Sequence, residues 1–212
     1  MHKLCSRQPW RGATSGGGQV SGNQDPAART GALRLRRSVA LVGMMGSGKT
    51  AIGRALALRL GVPFVDSDAA IEEAAQASIP EIFARDGESF FRDREAAVIF
   101  RLLAGPPVIL STGGGAYLAE RNREAISEAG VAMWLDADVA TLWERVRHKS
   151  GRPLLATANP RQTLAELEAA RRPVYEMAEL RVPSVARASI EETATRALAV
   201  LRSRPDILET PT

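Results

Sequence analysis

The sequence predicts an α/β domain built on a parallel sheet with helices on both faces. Three observations lead there. Short apolar runs alternate with helix-patterned segments from Leu35 onward; the glycine-rich stretch "GMMGSGKT" (43–50) lies between the first such run and the first helix; and the next two runs end in the clusters "FVDSD" and "STGGGA". Strands that alternate with helices join in parallel through crossovers, and ligands gather at the carboxyl ends of such strands.

Each element has its own local reason. "SVALVG" (38–43) is a continuous apolar run, as expected for a strand buried on both faces, and "KTAIGRALALRLG" (49–61) has helical periodicity closed by Gly61. "PFVDSD" (63–68) reads as the second strand, followed by helical stretches near 69–76, 79–85 and 90–103, then the strand "VILST" (108–112). A helix over 119–129 leads to the strand "VAMWLD" (131–136), and "VATLWERVRH" (139–148) is helical again. The segment "KSGRPLLATANP" (149–160) has two prolines, a glycine and no period. Between two helices of a nucleotide-binding fold it reads as a mobile lid, the more so because it carries Arg152.

Bulk properties bound the rest. A chain of 212 residues has room for one domain with a sizeable core, placed here at 35–205, and contains no run of 18 apolar residues to span a membrane. The single cysteine, Cys5, excludes an internal disulfide and fits a reducing compartment, so a cytoplasmic protein is expected. The net charge of +4 invites a nucleic-acid reading. Its distribution argues against one, because seven basic residues lie within residues 1–37 against Asp25 alone, and the body is mildly acidic. Residues 1–34, rich in Gly and Ser and without periodicity, read as a disordered extension. Their basic, acid-poor composition would suit an organelle transit peptide, but the lack of an amphipathic pattern favours a solvated tail.

The chemistry concentrates at the strand ends. "GMMGSGKT" matches G-x-x-x-x-G-K-[ST] in the strand-to-helix context that the phosphate-binding loop requires, so Gly46, Ser47, Gly48, Lys49, Thr50 and Ala51 are the expected ATP-contacting set. Lys49 would reach the β- and γ-phosphates, and the Thr50 hydroxyl would ligate Mg²⁺. Asp66 and Asp68, two apart in an expected strand, would share a face. One carboxylate could hold the metal or its waters and the other accept a proton, while either could also cap the following helix. In "STGGGA" the consecutive Gly113, Gly114 and Gly115 call for a close backbone approach, where any Cβ would occupy the space of a bound acceptor. On spacing alone Arg92, Arg94 and Glu95 in "FFRDRE", and Arg171 and Arg172 in "ARRPVYE", could be solvated pairs. Trp134 and Trp143 read as packing residues, and His148 as a surface residue without a metal cluster.

Taken in this order, "GMMGSGKT", "FVDSD", "FFRDRE", "ILSTGGGA", "RPLL" and "RRPVY" resemble the shikimate kinases over about residues 36–180. The resemblance implies a three-layer P-loop kinase fold with a five-stranded parallel sheet, a substrate-binding region and a lid. It also implies transfer of the γ-phosphoryl of ATP to the 3-hydroxyl of shikimate, with Mg²⁺, in aromatic amino-acid synthesis. By the same resemblance Asp68 is the candidate base at the ring hydroxyls and Asp66 stands near Mg²⁺. Arg92 and Arg171 would clamp the carboxylate, with Glu95 orienting Arg92; Arg152 would close on the phosphates and Arg145 would pack on the adenine. A monomer is expected, with shikimate and ATP as its partners. The segment after Tyr175 departs from the family pattern, since Pro183 interrupts the expected fifth strand. Competing functions are a gluconate-type or nucleotide kinase of the same fold and a non-catalytic nucleotide-sensing protein.

Overall fold

The computed structural model describes residues 33–148 and 153–210. In chain order its strands are β1 (Arg34–Leu35), β2 (Ser38–Val42), β3 (Phe64–Asp66), β4 (Ile109–Ser111), β5 (Gly130–Ala137), β6 (Leu180–Ser184) and β7 (Leu208–Glu209). The helices are α1 (Lys49–Leu60), α2 (Ser67–Ala75), α3 (Ile79–Leu103), α4 (Glu120–Ala129), α5 (Val139–Val146), α6 (Pro160–Tyr175) and α7 (Ile190–Arg202).

Five strands form one parallel sheet in the order β3-β4-β2-β5-β6. Its centre is β2, buried at every position, which accounts for the unbroken apolar run in the sequence. Alternation along the strands sorts the side chains into two cores. Val39, Leu41, Val131 and Met133 face α1 and α7 through Leu56, Leu60, Ala197 and Leu201. Ala40, Val42, Ala132 and Trp134 face the opposite layer, meeting Ile99, Ile126, Leu142, Leu164 and Tyr175. A third, smaller cluster of Ile71, Ile82, Phe91 and Val98 joins α2 to α3 beside the sheet.

The expected elements are present with three differences. "FVDSD" does not stay extended: β3 ends at Asp66, whose Oδ1 accepts from the Asp68 and Ala69 amides and starts α2, so Asp68 is helical and does not share a strand face with Asp66. The two helices expected over 79–85 and 90–103 are both present within α3, on either side of a kink at Gly87, whose φ of 83° only glycine adopts readily. Pro183 does not abolish the fifth strand, because β6 is at the sheet edge, where the missing N–H faces no neighbour and the side chain is exposed. The domain also extends beyond 35–205 at both ends, where β1 and β7 pair antiparallel through Arg34↔Glu209 and Leu35↔Leu208. Of the expected extension, residues 1–32 lie outside the described residues, as do residues 149–152 of the expected lid. Among the described residues no helix is long and apolar enough to cross a membrane.

One close contact between layers has a measurable consequence. Gly53 of α1 lies so near the sheet that a Cβ there would come within 2.7 Å of the Phe64 ring and 2.9 Å of Leu41 Cδ1. Alanine is the better helix former by about 1 kcal/mol, but overpacking a core costs about 1–3 kcal/mol. Gly53→Ala is therefore expected to lower stability by up to about 2 kcal/mol in urea titrations, against its helix propensity.

Candidate active site

The loop between β2 and α1 has the backbone that phosphate binding demands. Gly46 and Gly48 adopt φ of 83° and 100°, and a Cβ on Gly46 would collide with Val146 Cγ1 at 2.6 Å. No side chain caps α1, so its first amides and its dipole point at whatever anion fills the loop. The Lys49 ammonium donates to the carbonyls of Gly43 (2.8 Å) and Met44 (3.0 Å).

Beside the loop, oxygen atoms of three elements converge. Thr50 Oγ1 donates to Asp66 Oδ2 at 3.0 Å and lies 3.5 Å from Ser111 Oγ at the end of β4. Asp66 thus does two jobs at once, capping α2 with one oxygen and holding Thr50 with the other. A hydroxyl and a carboxylate at this spacing are the hard oxygen donors that suit Mg²⁺, which takes its remaining ligands from phosphates and water.

The glycine turn after β4 makes room for the protein's own charged groups. A Cβ on Gly113 would sit 2.5 Å from Asp68 Oδ1 and 3.2 Å from Glu95 Oε1; one on Gly115 would sit 2.9 Å from both terminal nitrogens of Arg92. Gly114 is different, since its nearest neighbour would be the Met45 amide at 3.6 Å, an ordinary contact. The close approach expected at the three glycines is thus met at two of them by the protein's own side chains. Two of them clear space for Asp68 and Arg92, and none of the three has a positive φ. Ser67 Oγ fixes the turn by accepting from the Gly113 amide, and Tyr175 donates to the Gly114 carbonyl. Arg92 is itself held, with Nη1 on the buried Glu95 at 2.9 Å and Nε and Nη2 on Glu88.

Lys49, Thr50, Asp66, Asp68, Gly114 and Arg145 all line one cleft of about 580 Å³, with the residues before and at the start of α7 (188–190) on a further wall. A phosphate loop, a pair of hard oxygen donors and a buried acid meeting at one cleft, with a held arginine adjoining it, are the parts of a small-molecule kinase. A family model described as shikimate kinase matches residues 45–202. The chain belongs to the shikimate kinase family. It is an enzyme, an ATP-dependent phosphotransferase, as its motifs led us to expect. The shikimate kinase of Ruegeria pomeroyi is 63% identical over 84% of this chain and 92% of its own length, and that of Cereibacter sphaeroides is 58% identical over 84% and 88%. Among solved structures, the shikimate kinase from Acinetobacter baumannii in complex with shikimate superposes with a TM-score of 0.74 at 38% identity, covering 79% of this chain and 93% of that one. A gluconokinase from Sinorhizobium meliloti shares the fold at 21% identity and a TM-score of 0.54.

Not every expected residue stands on the cleft wall of this kinase. Ser47 is fully buried, and its Oγ has no partner among the described residues. Arg145 is on the wall but its Nη1 is tied to Ser184 Oγ at 3.0 Å and, more loosely, to the Gly46 and Ser47 carbonyls. Gly113 and Gly115 flank the cleft-lining Gly114, Arg92 lies against Gly115, and Arg171 interacts with Tyr175, whose hydroxyl holds Gly114; none of the four is part of the wall. Arg152 falls outside the described residues. Trp134 is buried and Trp143 packs against the same core, while His148 is exposed, as their patterns suggested. The sequence reading missed Ser111, Ser67, Glu88 and the wall at 188–190. Only the last had a local signal, the capping box Ser189-x-x-Glu192 that opens α7.

Electrostatics single out Asp68. Burial, then the neighbouring Asp66 and Glu95 carboxylates, push it up to about 6, with Lys49 opposing. Burial also raises Glu95, against the pull of the Arg92 guanidinium. The folded state holds the Asp68 proton up to about pH 6, while the unfolded chain releases it near the ordinary value of 3.8. Between those values stability from this group falls as pH rises, and above about 6 it is a constant cost. Asp68→Asn in magnesium-free buffer is therefore expected to raise stability at pH 7.5 by up to about 3 kcal/mol, a gain that shrinks to nothing near pH 4.

Proposed function

We propose that this enzyme phosphorylates the 3-hydroxyl of shikimate from ATP at this cleft, as a cytoplasmic monomer, with the following division of labour among its residues. The loop amides and the start of α1 bind the phosphates, and Lys49 swings from the Gly43 and Met44 carbonyls to the β- and γ-phosphates. Thr50 and Asp66, with oxygens 3.0 Å apart, would hold Mg²⁺, which when bound neutralises charge on the β- and γ-phosphoryl oxygens. Asp68 accepts the proton of the attacking hydroxyl. Arg92 and Arg171 clamp the acceptor's carboxylate, a task for planar guanidinium forks. Arg145, at the cleft wall with residues 188–190, faces the adenine, and Arg152 closes on the transferring phosphoryl group. Excluding water at closure prevents it from competing with the hydroxyl.

One observation supports this reading above the others. The two glycines without room for a Cβ place a carboxylate and a guanidinium on one turn, directly beside the phosphate loop. A base and an anion clamp at that spacing suit a small hydroxylated carboxylate. The likeness to the gluconokinase extends to the fold alone, and no catalytic position in the described residues has been lost, as a non-catalytic descendant would allow.

An assay coupling ADP release to shikimate, gluconate and nucleoside monophosphates tests the assignment; turnover is expected with shikimate only, and its absence in the magnesium-supplied enzyme would refute it. Arg92→Ala and Arg171→Ala are each expected to raise the shikimate KM about tenfold or more while the ATP KM moves less than about twofold. Arg152→Ala is expected to lower kcat by about a hundredfold or more, and an unchanged kcat would remove it from the phosphoryl-transfer step.

A further inference from the structure

The R-x-P-x-Y segment supplies Arg171 to the proposed clamp, but it also carries Tyr175, which has no part in the chemistry above. Tyr175 is buried, 1% exposed, at the last position of α6. Its hydroxyl donates to the Gly114 carbonyl at 2.5 Å and touches Met44 Sδ of the phosphate loop at 3.9 Å. Three segments that are far apart in sequence therefore meet at one oxygen: the phosphate loop, the glycine turn and α6.

The phenol is held from behind. Its ring stacks on Trp134, with centroids 6.3 Å apart and planes at 22°, and Trp134 is flanked by the Arg172 and Arg181 guanidiniums at 5.0 Å each. Both arginines bond the half-sequestered Asp136, which fixes them over the indole. Arg171 stands one helical turn before Tyr175, and its guanidinium and hydrogen bond offset part of the rise that burial imposes on the phenol. The residue after Gly114 in the turn is Gly115, which lies against Arg92.

We propose that Tyr175 is a positioning residue for acceptor binding: its hydroxyl pins the Gly114 carbonyl, sets Gly115 against Arg92, and registers that side of the site with Arg171. The claim rests on the two-arginine clamp proposed above. It differs from a purely structural role, in which a buried phenol merely satisfies a carbonyl, by predicting an effect specific to one substrate.

Tyr175→Phe keeps the ring and its stack and removes only the hydroxyl. The expected result is an increase of about fivefold in the shikimate KM, the worth of roughly one hydrogen bond of positioning, with the ATP KM within about twofold. Amide exchange over residues 113–118 is expected to quicken about tenfold, while β2 is unchanged. In an Arg171→Ala background the effect of Tyr175→Phe on the shikimate KM is expected to shrink, since the two act through one site. An unchanged shikimate KM, an equal rise in both KM values, or full additivity with Arg171→Ala would each overturn the proposal. If Arg171→Ala alone left the shikimate KM unchanged, the clamp itself would fall, and Tyr175's part with it. Trp134→Phe is the second variant, because it loosens the stack and spares the hydroxyl. Its shikimate KM is expected to stay within about twofold, and a rise as large as that of Tyr175→Phe would assign the effect to packing.

Discussion

The close approach of the glycine turn at 113–115 to α2 and α3 is the constraint on which the site depends. Backbone without a side chain at Gly113 and Gly115 lets the Asp68 carboxylate and the Arg92 guanidinium reach the end of β4, within reach of the phosphate loop. The sheet makes this possible by placing β4 directly beside β2, the strand that feeds that loop. Helix placement does the rest. Asp66 ends β3 and starts α2 within one residue, which turns Asp68 out of the strand and toward the turn.

Packing three carboxylates, Asp66, Asp68 and Glu95, into this space carries an electrostatic cost. Lys49 and Arg92 offset part of it, but Asp68 still stands well above the ordinary carboxylate range. A group poised near neutral pH is the state in which a carboxylate can both accept and hold a proton, so the cost is located at the residue proposed as the base. Glu95 contributes in a different way. It is buried behind Arg92 and fixes the orientation of the guanidinium that faces the turn. Function and stability therefore pull against each other in a cluster of a few side chains, while the two apolar cores on either face of the sheet supply the stability that tolerates it.

Much of this was legible in the sequence, and the failures have physical causes. The sheet could be read because parallel strands buried on both faces appear as continuous apolar runs, and "GMMGSGKT" could be read because motif and strand-to-helix context agree. Asp68 was placed on a strand because a two-residue spacing is ambiguous between a strand face and a helix start; the capping power of Asp66 decided it. Pro183 looked like an interruption because sequence does not reveal which strand forms the sheet edge. The glycine run was visible as a close approach, but the atoms that fill the missing Cβ positions of Gly113 and Gly115 come from residues 68 and 92, a long-range pairing that no local pattern encodes. For the same reason Ser67 carried no visible signal, and the motif "RRPVY" gave no hint that Tyr175 holds the turn from another element.

The most direct test of this account is the kinetics of Gly113→Ala. A methyl group there would lie 2.5 Å from Asp68 Oδ1, a side-chain atom on a short helix start, so the carboxylate must move while the sheet need not. A folded enzyme is expected, with an ATP dissociation constant within about twofold of wild type and kcat lowered by about a hundredfold, in line with displacement of the proposed general base. A Gly113→Ala enzyme with wild-type kcat would contradict it.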